Sequence, residues 1–231
     1  MYCLIVVGAG GTGTYFLKEF SRFIHGTDAL KKFKSMVIFD GDTVEDKNLA
    51  RQCFQEDDIG MNKAAVMAEV LNEAFDLKWE SFATYLTEKK QLESIVGSST
   101  PILISCVDNH ACRLLLEDFF ESNKTCIYFD SANEFETGEC VYSYKKDGVV
   151  EGPVRSHYFP DIKQRQHKKV TELSCEELNN VEPQHIFTNM FAGNLLCSGM
   201  TKLLERKHTP GVAYFNAMEP ECTFIPYKSE S

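Results

Sequence analysis

The apolar positions of this 231-residue chain form two kinds of pattern, which alternate along its first part. Short continuous apolar runs are typical of parallel strands covered on both faces, and apolar residues at helical spacing indicate helices packed on such strands. The runs predict strands at 2–7, 35–40, 82–86, 101–107 and 125–130, and the spacing predicts helices at 14–24, 62–75 and 111–122. This alternation indicates an α/β fold with a mostly parallel sheet.

The last part of the chain has a different pattern. Residues 138–144 alternate between apolar and polar, 186–204 have the pattern of a long helix, and 212–225 predict two strands joined by a turn. Between them, residues 145–184 are polar, and so long a polar stretch in a compact domain is more often functional than incidental. We therefore expect one domain over 1–231, comprising a core at 1–144, a mobile crossover loop at 145–184, and a C-terminal helix with antiparallel strands at 185–231.

Composition and charge limit the classes of partner. The formal net charge of −10 and the pI near 5.1 argue against a nucleic-acid surface, which needs a basic patch. No apolar run is long enough for a transmembrane helix, and the N-terminal run lacks the basic leader of a signal peptide. We expect a cytoplasmic protein that binds neither nucleic acid nor membrane. The nine cysteines lie mostly within apolar patterns, which predicts small buried residues rather than a disulfide framework.

The first predicted strand runs directly into Gly8-Ala9-Gly10-Gly11-Thr12-Gly13. Glycines in this arrangement allow a tight turn, a close approach of the backbone to a phosphate, and packing of the next helix on the strand. The free N–H groups and the positive dipole end of that helix would then hold an anion. The tract predicts a nucleotide-phosphate cradle, which dehydrogenases and ATP-dependent enzymes share.

Charged residues downstream of the glycine tract separate these two classes. Asp40 ends the second predicted strand, where a carboxylate can bind the ribose hydroxyls of an adenosine in either class. A second acid, an arginine and a lysine follow at Asp42, Arg51 and Lys63. A nicotinamide site has no need of that set, whereas attack on a phosphate develops charge that Arg, Lys and magnesium stabilise. The pattern favours ATP.

Four ordered motifs carry a resemblance to a known family. They are Gly-x-Gly-Gly-x-Gly from Gly8, Asp-x-Asp-x-Val-Glu-x-x-Asn-Leu-x-Arg-Gln from Asp40, Gly-x-x-Lys from Gly60 and Asp-Asn-x-x-x-Arg from Asp108. Together they resemble the ThiF/MoeB/HesA family of ubiquitin-activating-like adenylyltransferases, strongly over 3–144 and weakly over 150–205. The resemblance implies a Rossmann-like, doubly wound sheet that binds Mg-ATP, and a homodimer. It also implies adenylation of the C-terminal glycine carboxylate of a ubiquitin-like or sulfur-carrier protein, followed by transfer to a thiol or sulfur donor.

The resemblance also implies roles for individual residues. Asp40 would bind the ribose, Lys63 would neutralise charge at the α-phosphate, and Asp108 would hold magnesium, which favours oxygen ligands shared with phosphates. Arg51 would act with Lys63 and Asp108 in catalysis. The remaining nucleotide-binding positions implied are Gly8, Gly10, Gly11, Gly13, Asp42, Asn48 and Gln52. A surface charge is the alternative for Arg51 or Lys63 taken singly, and a helix cap is the alternative for Asp108-Asn109.

Cys175 is the candidate acceptor thiol, because relatives carry one at the place between the crossover loop and the long helix. A helix start would lower its pKa, whereas the adjacent glutamates, Glu176 and Glu177, would raise it. A partly buried structural cysteine is the alternative. We interpret His157, His167 and His185 as solvated or structurally satisfied histidines rather than as ligands.

The chain departs from the family in two respects. Relatives of this size often hold a structural zinc with two Cys-x-x-Cys pairs, but Val154 and His157 stand at the first pair and only Cys222 at the second. A closed zinc site needs four ligands, so we expect no zinc. Many relatives also carry an N-terminal helix whose arginine enters the partner subunit's site. Here the sequence begins at its first strand, and Arg22 is a candidate to supply that charge.

Two other functions stay open at this stage. A nicotinamide- or flavin-dependent oxidoreductase would use the same glycine turn and the same Asp40. A non-catalytic scaffold would keep the fold and the dimer surface without the chemistry. The departures at the zinc and N-terminal positions keep the scaffold in consideration.

Overall fold

The computed structural model describes residues 1–163, 184–219 and 221–228. Its strands form one sheet in the order β3-β2-β1-β4-β5-β6-β8-β9, with β7 paired to β6. These strands are β1 Tyr2–Val7, β2 Phe33–Phe39, β3 Trp79–Phe82, β4 Thr100–Ser105, β5 Cys126–Asn133, β6 Thr137–Lys146, β7 Val149–Gly152, β8 Gly211–Asn216 and β9 Glu221–Pro226. The first five strands pair in parallel and the others antiparallel, so the predicted fold class is confirmed.

Helices cover both faces of the parallel part of the sheet. They are α1 Gly11–His25, α2 Lys63–Phe75, α3 Lys89–Val96, α4 His110–Ser122, α5 Arg155–Tyr158 and α6 Ile186–Leu204. One hydrophobic core lies under α1, α2 and α6, and a second lies under α3 and α4. Residues of β1 alternate between the two cores and are almost completely buried, as its continuous apolar run predicts. None of the described helices is long and apolar enough to cross a membrane.

The strand order places a crevice beside β1. The chain moves from β1 to β2 and β3 in one direction across the sheet, and β4 and β5 lie on the other side of β1. Loops that leave the carboxyl ends of β1 and β4 therefore diverge. Ligands of open α/β sheets bind at this kind of switch point, because the diverging loops leave a cleft between them. The glycine turn after β1 lies at this point.

Three local differences from the sequence expectations have physical reasons. Strand β3 begins at Trp79, earlier than the predicted 82–86, because the Trp79 indole is buried and donates from Nε1 to the Ser21 hydroxyl of α1 (3.0 Å). Helix α1 begins at Gly11 rather than at 14, since the glycine turn is itself part of the first helical turn. Helix α3 was not predicted, and it buries only Leu92 and Val96, too few positions to show a period.

The expected loop at 145–184 is structured where it is described. Strand β6 continues to Lys146, β7 and α5 follow, and a 3-10 turn spans Pro160–Lys163. The loop expectation was therefore wrong for residues 145–163. One reason is that Arg155 holds α5 in place with ion pairs while being only 2% exposed. A sequence pattern that looks for apolar residues does not detect a buried arginine.

Candidate functional site

The turn after β1 requires glycine at two positions. Gly8 has a φ of +94°, and a Cβ there would lie 2.7 Å from the carbonyl oxygen of Cys106 in the β4–α4 loop. A Cβ at Gly13 would overlap the Gly8 carbonyl oxygen and lie 2.9 Å from its carbon. The Gly8 N–H donates to the Phe39 carbonyl at the end of β2 (2.8 Å). These contacts place the start of α1 in the crevice between β1 and β4.

The N-terminus of α1 has the features of an anion site. Gly10 is its N-cap residue and offers no side-chain acceptor, and the first turn contains no acidic residue. First-turn N–H groups of a helix have no partner within the helix and carry its positive dipole end, so they bind phosphates. Among the described residues, and apart from the chain neighbours of Gly10, only the Gln52 amide nitrogen lies within 4 Å of a Cβ built at Gly10, at 3.9 Å. The surroundings of Gly10 are therefore uncrowded, which fits the close approach of a nucleotide phosphate.

Asp40 is held rigidly at the edge of this cradle. Its Oδ2 accepts from the Ala9 N–H (2.6 Å) and its Oδ1 from the Asp42 N–H (2.8 Å). Burial raises the pKa of Asp40 above its usual value, and the Asp42 carboxylate adds to the rise, while these backbone N–H groups oppose it. A carboxylate fixed next to the glycine turn in this way can accept hydrogen bonds from ribose hydroxyls.

Lys63 and Asp42 form a pair beside Asp40. Lys63 begins α2, is 6% exposed, and places its Nζ 3.4 Å from Asp42 Oδ2. Asn62 caps α2 and donates from Nδ2 to the carbonyls of Asp40 (2.9 Å) and Asp42 (3.0 Å), which ties the loop to the helix start. A buried lysine with one long contact to a carboxylate is available to a phosphate that enters the crevice.

Tyr85 is a member of this group that the sequence did not reveal. Its hydroxyl donates to Asp42 Oδ1, and its ring would collide with a Cβ at Gly41. Burial raises the pKa of Tyr85, and the hydrogen bond to Asp42 raises it further, so the phenol stays a donor. No motif marks this tyrosine, because its position depends on where the chain leaves β3.

The motif from Asn48 to Gln52 forms a compact turn beside α1. Asn48 is buried and accepts from the Glu45 N–H (2.9 Å), so its visible role is to cap the 3-10 turn Asp46–Asn48. The Gln52 side chain is 7% exposed, and its Oε1 has no hydrogen-bond partner in the part of the chain that the structure describes. Arg51 is half-buried, and its side chain makes no ion pair with a described residue. A Gln52 side chain that lies near Gly10 with an unsatisfied Oε1, next in sequence to an arginine without an ion pair to a described residue, agrees with a nucleotide site.

Asp108 lies in the β4–α4 loop at the carboxyl end of a central strand. Asn109 alone caps α4, through its Oδ1 and the Cys112 N–H (2.8 Å), which leaves the exposed Asp108 carboxylate without a hydrogen bond to a described residue. An exposed carboxylate at the switch point fits a magnesium ion shared with phosphates. Arg113 supports the loop by donating from Nη2 to the Val107 carbonyl (2.5 Å).

Two asparagines extend the cradle on the side of α6. Asn133 at the end of β5 donates from Nδ2 to Asn189 Oδ1 (2.9 Å) and to the Thr12 hydroxyl (3.1 Å). Asn189 is fully buried against Gly11, where a Cβ would collide with its amide. Sequence reasoning missed these residues because each lies on a different element, and only the packing of α6 on α1 brings them together.

Several other candidates lie away from the crevice or outside the described residues. Cys175 and His167 belong to residues 164–183, which are not described. Arg22 lies in the last turn of α1, at the opposite end of that helix from the glycine turn, and pairs with Glu19 (3.2 Å). His185 caps α6 through Nδ1, which accepts from the Phe187 N–H.

At Val154, His157 and Cys222, the positions compared with a zinc site from the sequence, the structure shows the following contacts. Val154 is buried in the second core, and the His157 ring lies 6.0 Å from that of Tyr227, centroid to centroid. Cys222 is exposed on the edge strand β9. Within the described ranges, no group of three or more His, Cys, Asp or Glu side chains is placed to hold a metal ion.

Comparison with known proteins bears on the fold and the family of this chain. Ubiquitin-like modifier-activating enzyme 5 of Oryza sativa is 26% identical over 168 residues, which is 68% of this chain and 34% of that protein, and the Arabidopsis thaliana enzyme of that name is 26% identical over 171 residues. This chain therefore spans about a third of the length of the curated relatives it matches. Escherichia coli MccB solved with AMPCPP and MccA has a TM-score of 0.67 at 15% identity, covering 97% of this chain and 63% of MccB. PaaA has a TM-score of 0.69 at 15% identity, covering 97% of this chain and 72% of PaaA. Because its sequence matches the ThiF family over residues 2–228, the chain belongs to the ThiF family.

Proposed function

We propose that this protein uses Mg-ATP to adenylate the C-terminal carboxylate of a ubiquitin-like or sulfur-carrier protein. The observation that carries the proposal is the uncapped N-terminus of α1 in the β1–β4 crevice, with Lys63 and Asp42 on one side and Asp108 on the other. Membership of the ThiF family supports it, as do relatives named as ubiquitin-like modifier-activating enzymes. Structures of MccB with ATP share the fold.

Each residue of the crevice has a separate role in the proposed reaction. First-turn N–H groups of α1 bind phosphate oxygens, and Asp40 accepts hydrogen bonds from the ribose. The incoming carboxylate oxygen bonds to the α-phosphorus, the bond from that phosphorus to the bridging oxygen breaks, and pyrophosphate leaves. Lys63 and Arg51 place positive charge where negative charge develops. Asp108 would hold magnesium, which supplies further neutralisation of the phosphates.

Pyrophosphate exchange tests the reaction directly. Labelled pyrophosphate should enter ATP only when a protein or peptide with a C-terminal glycine tail is present. Lys63→Met should lower the exchange rate by about 100-fold, because it removes a charge that acts on the developing negative charge. Lys47→Ala is the matched control and should leave the rate unchanged. Lys47 is an exposed lysine of the same loop region, and its only ion pair with a described residue is with Glu45 (2.9 Å).

Two outcomes would contradict the proposal. Tight ATP binding without exchange, with every tail tested, would leave a nucleotide-binding scaffold. Enhanced NADH fluorescence that Lys63→Met does not change would instead indicate an oxidoreductase. Equal exchange rates in Lys63→Met and wild type would refute the role of Lys63 alone.

The proposal extends to a homodimer in the cytoplasm, with Cys175 as the thiol that accepts the acyl group. These parts rest on the resemblance to the family, and Cys175 lies outside the described residues. Sedimentation velocity should give the mass of two chains. Cys175→Ser should keep pyrophosphate exchange but lose the reductant-sensitive covalent adduct with the substrate protein, and an adduct that survives the substitution would exclude Cys175.

A further inference from the structure

Three buried charges and one partly exposed carboxylate form a cluster next to the candidate metal loop. Asp130, in the middle of β5 and paired with Ser105 at the end of β4, is fully buried and receives hydrogen bonds on both carboxylate oxygens. Arg113 donates from Nε to Oδ1 (3.3 Å), and Arg155 donates from Nε to Oδ2. Arg155 also donates from Nη1 to Glu139 Oε1 (2.5 Å). Two acids and two guanidiniums balance, and such pairing is what permits charges in a protein interior.

The cluster contacts the backbone that carries Asp108. Arg113 donates from Nη2 to the carbonyls of Val107 (2.5 Å) and Ser131 (3.0 Å). Val107 immediately precedes Asp108, so the position of the Arg113 guanidinium sets where the metal loop begins. Arg113 is 4% exposed, and its only ion pair among the described residues is with Asp130. Asp130 therefore fixes Arg113, and Arg113 fixes the loop.

Arg155 joins a third segment to the same carboxylate. It begins α5, and the next residue, Ser156, donates its N–H to Glu117 of α4 (2.8 Å). Arg155 also donates from Nη2 to the carbonyls of Asp130 (3.4 Å) and Glu139 (3.3 Å). A guanidinium can make these contacts at once because its donors form a rigid planar fork, whereas an ammonium cannot. Asp130 thus connects α5 to the β4–α4 loop.

We propose that Asp130 and Arg155 are positioning residues that set the backbone at Val107 and, through it, the Asp108 carboxylate for a magnesium–nucleotide complex. This role rests on the proposed function, because it assumes that Asp108 holds the metal. Asp130 is 0% exposed and Arg155 is 2% exposed, so neither side chain touches a nucleotide. They act on the metal through the Arg113–Val107 contact, as the outer partners of metal ligands do in other proteins.

Magnesium dependence of nucleotide binding tests the role without requiring turnover. A fluorescent ATP analogue is titrated with the full-length protein in EDTA and then over a range of Mg²⁺ concentrations. Arg155→Lys keeps the positive charge but loses the planar fork of donors. The Mg²⁺ concentration that gives half of the gain in nucleotide affinity should therefore rise by about tenfold. This is the size of effect expected when a metal ligand loses its outer hydrogen-bond partner. The dissociation constant in EDTA should stay the same.

A double-mutant cycle with Asp108→Asn shows whether the effect passes through Asp108. If it does, Arg155→Lys should change nothing further in the Asp108→Asn background. Lys145→Gln is the matched control, because Lys145 is also a buried cation of this sheet (8% exposed) but contacts the Glu121 carbonyl (2.7 Å) at the other end of β6. It should lower thermal stability and leave the Mg²⁺ dependence unchanged.

The possible failures are distinguishable. If wild type gains no affinity from Mg²⁺, the metal site of the proposed function is wrong, and the positioning role falls with it. If wild type gains affinity and Arg155→Lys gains it at the same Mg²⁺ concentration, only the positioning role is wrong. A shift of equal size in Lys145→Gln, or an effect of Arg155→Lys that persists with Asp108→Asn, also overturns it. Should Arg155→Lys not fold, Glu139→Gln, which removes the partly exposed partner of Arg155, is expected to give a smaller shift in the same direction, and no shift overturns the role.

Discussion

Replacing Gly13 and Gly10 by alanine, one at a time, should separate the packing of the glycine turn from its contact with the nucleotide. A Cβ at Gly13 would overlap the Gly8 carbonyl oxygen and lie 2.9 Å from its carbon, which is shorter than the ordinary contact distance of 3.4–4 Å. Both obstructing atoms are backbone, so they cannot rotate away as a side chain could. A Cβ at Gly10 lies within 4 Å of one described side-chain atom outside its chain neighbours, the Gln52 amide nitrogen at 3.9 Å.

The two substitutions should therefore differ in what they damage. Gly13→Ala forces α1 away from β1, and overpacking of this kind costs about 1–3 kcal/mol. For a domain of this size each kcal/mol shifts Tm by roughly 2–4 °C, so we expect Tm to fall by about 2–12 °C. Gly10→Ala places a methyl group in the path of the phosphates, where close backbone approach is needed. We expect an unchanged Tm and a tenfold weaker Kd for ATP, about 1.4 kcal/mol.

Differential scanning calorimetry without nucleotide and isothermal titration with ATP measure the two effects. If Gly10→Ala binds ATP as tightly as wild type, the phosphates do not pass Gly10 and the cradle is wrong. If Gly13→Ala keeps the wild-type Tm, the close packing of α1 on the turn is wrong. A loss of Tm in Gly10→Ala as large as in Gly13→Ala would remove the distinction on which the reasoning depends.

Two further predictions concern stability. Asp130→Asn should lower the free energy of unfolding at pH 7 by about 3 kcal/mol, as expected for a broken buried ion pair. Burial alone would raise the pKa of Asp130, but Arg155 and then Arg113 outweigh it and hold the pKa below its usual 3.8. Unfolding therefore takes up a proton as the pH falls below about 4, so the stability that wild type has over Asp130→Asn is lost there. Urea melts measure the free energy of unfolding of both proteins against pH. A difference between them that does not change with pH contradicts the pairing. Ser21→Ala leaves the buried Trp79 Nε1 without its acceptor at 3.0 Å and should cost about 1–2 kcal/mol, measured by the fluorescence of the only tryptophan; an unchanged unfolding midpoint contradicts it.

Sequence patterns predicted the parallel part of the fold well, and the reason is local. Strands β1, β2, β4 and β5 are continuous apolar runs because both faces are covered, and α2 and α4 show a clear helical period. Where burial depends on few residues, the patterns failed. Helix α3 buries only Leu92 and Val96, and α5 is anchored by Arg155, whose charge gives no apolar signal.

The candidate site was predictable only where its residues belong to contiguous motifs. The glycine tract, Asp40, Lys63 and Asp108 each follow a predicted strand or begin a predicted helix, so their meeting at the switch point follows from parallel topology. Tyr85 gave no such signal, since it reaches Asp42 from the segment that follows β3. The roles of the glycine tract, Asp40, Lys63 and Asp108 in binding nucleotide and metal stay predictions.

By itself, the sequence determined the glycine turn, because the positive φ of Gly8 and the clash of a Cβ at Gly13 with the Gly8 carbonyl are set by backbone within a few residues. The close approach of Gly8 to the Cys106 carbonyl comes from the tertiary structure. The continuous apolar runs of the sequence also indicated that the strands of the first part of the chain pair in parallel. Only the tertiary structure decided which distant charges share a site. Asp130, Arg113 and Arg155 lie on β5, α4 and α5, and each is stable inside the protein only because folding brings an opposite charge to it. Ion pairing between such distant residues depends on their positions in the folded chain, so the local pattern of apolar and polar residues does not predict it.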